Sequence, residues 1–101
     1  MTIKKIYLPE AMENEKFDYG FMNTDVIVQL DNEDKFVANF IAIKKLVEDI
    51  ETDWKTKKNP SKKYYWSRNM VIVKSLKKKE LLPMIEYMID EGDFQLVFEK
   101  L

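Results

Sequence analysis

Two short apolar runs, "TDVIVQL" at 24–30, rich in β-branched residues, and "KFVANFI" at 35–41, stand either side of the polar cluster "DNED" at 31–34. Two strand-like runs around a four-residue polar loop predict an antiparallel hairpin. In the second run Phe36, Ala38 and Phe40 share one face and Val37, Asn39 and Ile41 share the other, so both faces carry apolar groups. From about Ile41 the period changes. Ile43, Leu46, Val47, Ile50 and Trp54 recur at i, i+3, i+4, i+7 and i+11, the spacing of one helical stripe, with Lys44, Lys45, Glu48, Asp49, Glu51 and Asp53 on the polar side. This helix should fade before Asn59 and Pro60, because a residue preceding proline disfavours the helical region.

The flanking pieces are shorter. "TIKKIYLP" reads as a strand ending at Pro9, followed by the polar, acidic connector "EAMENEKFDYGFMN", in which the alternating Phe17, Tyr19 and Phe21 would also suit an edge strand. "KYYWS" and "NMVIVKS" read as one extended segment, and the continuous apolar run Met70 to Val73 predicts a central strand covered on both faces. A second helix is expected from about Lys79 to Glu91, since Pro83 is best tolerated in a first turn. Leu82, Ile85, Met88 and Ile89 form its stripe, and Gly92 suits the left-handed residue that ends it. In the tail "DFQLVFEKL", Asp93 reads as the N-cap of a short helix carrying Phe94, Val97, Phe98 and Leu101, although Phe94, Leu96 and Phe98 would also fit a strand. The expected fold is α+β: a single domain over 1–101 with an antiparallel sheet of three or four strands and two main helices on one face. The order is β-β-β-α-β-α plus a short C-terminal element.

Composition narrows the chemistry. At 101 residues, 46% apolar and 35% charged, the chain can bury one core without disulfides or metals. No apolar run approaches the roughly 18 residues of a membrane span, and the start lacks the apolar stretch of a signal peptide, so a cytoplasmic location is expected. Cysteine and histidine are both absent. That excludes thiol nucleophiles and disulfides and removes the usual general base and transition-metal ligand. A non-enzymatic protein without a cofactor is expected.

The net charge of −1 conceals a segregation. Residues 55–79 hold ten basic groups and no acid, and the rest of the chain sums to −11. Within this span "KTKKNPSKKYYWSRNM" (55–70) packs six basic residues against three consecutive aromatics. Clustered cations with stacking aromatics suit a single-stranded nucleic acid, using Lys57, Lys58, Lys62, Lys63 and Arg68 with Tyr65. Three features favour a solvated loop leading into packed aromatics: alternation would turn one side of the aromatics inward, Arg68 is the chain's single arginine, and the isoelectric point is about 5.5. Trp54 and Trp66 belong to the residue type that anchors protein interfaces. The candidate partner-binding set is therefore Trp54, Lys57, Lys58, Lys62, Lys63, Tyr65, Trp66 and Arg68. The acidic runs "EDIETD" and "DEGD" lack the order of a calcium loop and read as a polar helix face and a helix exit.

The combination of "DVIVQL", "FVANF", "YYWSRNMVIV" and "DEGDF" resembles a set of small bacterial proteins of about this size that share a DVIV hairpin, an aromatic-Trp strand and a C-terminal EGD/EF element. The resemblance spans roughly residues 24–98. It implies a shared fold and brings no catalytic residue with it. The expected function is protein–protein interaction of immunity or inhibitor type, since a dipolar charge distribution raises association rate and selectivity. Nucleic-acid binding through 55–79 is the alternative, and no membrane partner is expected.

Overall fold

A computed structural model describes residues 1–56, 60–62 and 64–101. The elements run β1 (Ile3–Tyr7), α1 (Pro9–Glu13), β2 (Asn23–Leu30), β3 (Lys35–Ala42), α2 (Ile43–Thr56), a 3-10 turn (Pro60–Lys62), β4 (Met70–Val73), α3 (Lys78–Glu91), α4 (Asp93–Val97) and β5 (Glu99–Lys100). The predicted hairpin is β2 and β3, in antiparallel register with Val26 opposite Ala38 and Thr24 opposite Phe40. β1 adds antiparallel to β2, and the far side of β3 is shared by two short strands. β5 pairs antiparallel with Phe36 and Val37, and β4 pairs parallel with Asn39 to Ala42. The sheet is thus antiparallel except at β4. α2 is the crossover that a parallel neighbour requires.

Register explains where the core lies. Val26, Val28 and Leu30 of β2 and Ala38 and Phe40 of β3 are buried on one face, together with Val73 of β4. Leu81 and Ile85 of α3, Phe94 of α4 and Phe98 cover them, and Phe94 stacks on Phe98 with centroids 4.4 Å apart. α1, packed through Ala11, closes the same core. No residue of α2 belongs to it.

Several expectations are corrected. The connector after Pro9 opens with a short helix: proline at the first helical position is favoured there, but five residues are too few to show a period. β4 lies at the edge of the sheet and is not covered on both faces. Val71 and Val73 meet the core, whereas Ile72, opposite Ile41 on the other face, is 50% exposed. α3 starts at Lys78, so Pro83 falls in the second turn, and Leu81 is buried where Leu82 was expected. Asp93 is the first helical residue of α4, and Gly92 occupies the cap position with φ 86°. Leu101 lies beyond that helix and is exposed. Among the described residues no helix is long and apolar enough to cross a membrane.

Gly92 ends α3 with its N–H donating to the carbonyl of Ile89 at 3.3 Å. A Cβ there would meet nothing within 4 Å, so Gly92→Ala carries only the left-handed backbone cost. A loss of about 1 kcal/mol is expected in a urea titration.

Candidate interaction surface

The predicted stripe of α2 is present but turned. Leu46 is buried, whereas Ile43, Val47 and Trp54 are 43%, 46% and 40% exposed. At about 100° per residue these three and Ile50 lie within a narrow arc, while the side sheltered by the protein runs through Lys45, Leu46, Asp49 and Asp53. The helix therefore sits about a quarter turn away from an orientation that would bury its apolar stripe. Two polar contacts lie on the sheltered side. Lys45 pairs with Asp49 one turn on, at 3.0 Å, and its ammonium lies 5.8 Å from the Phe21 ring. Tyr65 closes over the same side, lining a shallow depression with Lys45, Glu48, Asp49, Thr52, Asp53 and Thr56.

The hydrogen bond from Lys45 to Asp49, and after it the charge of Asp49, hold the ammonium above its ordinary pKa of 10.5. A raised lysine pKa stabilises the fold fully below the unfolded value, and that contribution fades as pH climbs through the raised one. Asp49→Asn is expected to return the Lys45 titration toward its ordinary value, read by NMR of the side-chain resonances. An unchanged titration would show that the pair does not form in solution.

Residues 64–67 form no strand, and the expectation that alternation turns one side of the aromatics into the core is overturned. Tyr64, Tyr65 and Trp66 are all exposed, Tyr65 least because it lies against α2, and Trp66 is 70% open to solvent. The cause is that β4 begins only at Met70, so nothing pairs with the aromatic run and no alternation is imposed on it. Arg68, largely exposed, makes a loose ion pair of 3.7 Å with Glu99 of β5.

Of the candidate residues, the structure places Trp54 on the outward stripe and Tyr65, Trp66 and Arg68 on the connector into β4. Lys57, Lys58 and Lys63 lie outside the described residues, as does the side chain of Lys62. Ile43, Val47, Tyr64 and Ile72 join the surface without having been singled out for it. Their hydrophobicity was visible, but periodicity alone does not say which side of an amphipathic helix is covered. Lys78 and Lys79 at the start of α3 share a groove with Lys4 and Lys5 of β1, while Glu48, Asp49 and Asp53 gather around Tyr65. Among the described residues no group of three or more carboxylates is placed to hold a metal ion.

No family model, curated protein or solved structure matches this chain. The functional reading rests on this surface.

Proposed function

We propose that the chain is a small, non-enzymatic protein-binding module of the immunity or inhibitor type, acting in the cytoplasm on another protein. The observation that carries this reading is the exposure of Trp66 and Tyr64 beside Arg68, on a segment with no regular structure. Large aromatics held open to water give up apolar hydration, and Trp, Tyr and Arg dominate the binding energy of known interfaces. Lys5, Lys78 and Lys79 around the β1–α3 groove, and Glu48 and Asp53 beside Tyr65, supply charged groups of both signs at different places on the surface, which a charge-complementary partner could match.

Nucleic-acid binding is the second reading, favoured by the same open Tyr64 and Trp66 near a cation. The two separate cleanly. The tagged protein is used for capture from its native host with and without nuclease, across a salt series. A protein partner retained after nuclease treatment, and lost with Trp66→Ala, supports the first reading. Retention of single-stranded oligonucleotide that falls steeply with salt supports the second. Neither result would leave the surface without a ligand and overturn both.

A further inference from the structure

We propose that the chain also forms a two-fold dimer through α2, with the outward stripes of two copies packed antiparallel. This surface is separate from the Tyr64–Arg68 connector and does not depend on the reading given for it.

An exposed stripe on a helix fits many partners, but the order of residues along this one fits a reversed copy of itself. The stripe runs Ile43, Val47, Ile50, Trp54, so its centre lies between Val47 and Ile50. A two-fold axis at that point sets Ile43 against the partner's Trp54 and Val47 against the partner's Ile50. The bulky indole at one end thus meets the smaller aliphatic chain at the other, and the two middle layers are nearly equal in size. Isologous pairing of this kind is what a closed dimer requires.

Charge agrees with the same register. Lys44 and Glu51 both lie on the solvent flank of the stripe, and neither has an ion-pair partner among the described residues. A two-fold axis perpendicular to antiparallel helices brings the same flank of each copy together. With a rise of about 1.5 Å per residue, Lys44 then falls within about 3 Å along the axis of the partner's Glu51, and the pair occurs twice. The opposite flank, with Leu46 and Asp53, is turned toward the body of the protein. A parallel two-fold pair would instead set the Lys44–Glu51 flank of each copy against the Leu46–Asp53 flank of the other, and the Lys44–Glu51 pairing would be lost. A single pair of 14-residue helices makes a small interface, so association should depend on concentration.

Sedimentation velocity of the full chain from roughly 1 to 300 µM tests this. A dimer fraction rising with concentration is expected. Val47→Glu should abolish it with an unchanged far-ultraviolet circular dichroism spectrum, since position 47 is already open to solvent. Lys44→Glu alone and Glu51→Lys alone should each weaken association by roughly three- to tenfold, and the double exchange should restore it. A monomer at every concentration overturns the dimer. So does a dimer that survives Val47→Glu, or a double exchange no better than the single ones. Each variant leaves Trp66 in place, so an unmodified chain that stays monomeric at every concentration yet still captures a protein partner refutes the dimer and leaves the proposed function standing.

Discussion

Replacing Phe40 with alanine is expected to destabilise the protein by about 3–5 kcal/mol, the largest effect of any single truncation considered. Phe40 is fully buried in β3, the strand with β2 on one side and β4 and β5 on the other. Its ring lies 5.9 Å from that of Phe98, which in turn stacks on Phe94, while Phe94 meets Phe36 edge to face at 5.2 Å. Removing the ring leaves a cavity between sheet and C-terminal helix that four elements would have to move to fill. Against a total stability on the order of 5–15 kcal/mol, that loss removes a large share of the margin. A urea titration followed by tryptophan fluorescence measures it. A cost below about 1 kcal/mol would mean that the aromatic cluster is not the core.

Trp66→Ala should show the opposite pattern. The side chain is open to solvent and belongs to no packed cluster, so stability should change by less than about 0.5 kcal/mol. Affinity for the captured protein partner should fall by at least roughly 30-fold, the scale of a hot-spot tryptophan. Isothermal titration of the two variants against that partner decides the matter. A stability loss above 2 kcal/mol with binding intact would move Trp66 from the interface into the fold, about as large a reversal as an exposed side chain permits.

Much of the architecture is legible in the sequence for local reasons. The hairpin is specified by two apolar, strand-like runs on either side of "DNED", and the loop bears this out. The N–H of Leu30 donates to the carbonyl of Asp34, and Glu33 takes a left-handed conformation with φ 71°. The carboxylate of Glu33 accepts from Gln29 at 2.6 Å and from Lys4, binding the turn to the neighbouring strand. Gly92 likewise announces the end of α3, because few other residues accept that conformation without strain. These features depend on neighbours close in the chain.

What escapes the sequence depends on neighbours that are distant. The stripe of α2 is unmistakable at its helical spacing, yet which side of the helix is covered depends on distant neighbours: Phe21, near the ring of which the Lys45 ammonium lies, and Tyr65, which lines a depression with Lys45 and Asp49. The apolar run "MVIV" reads as a central strand because its residues are apolar on both faces. It lies at the sheet edge because α2 returns the chain parallel to β3 while β5 takes the rest of that edge. The three aromatics read as half packed because alternation presumes a strand, and none forms there. Of the interaction surface, the sequence therefore identified Trp54, Tyr65, Trp66 and Arg68 as candidates. It could not show that Ile43, Val47 and Ile72 would lie open alongside them.

The outward rotation of α2 is the point on which the exposed helical stripe and the dimer built on it turn, and the absence of cysteine makes it directly measurable. Leu46→Cys and Val47→Cys, adjacent in the chain, would be labelled with a thiol reagent at low protein concentration, alongside the same variants unfolded in urea. Val47→Cys should react within roughly tenfold of its unfolded rate and Leu46→Cys at least about a hundredfold more slowly than its own. A protected Val47→Cys beside a reactive Leu46→Cys would place the stripe inside and contradict the account.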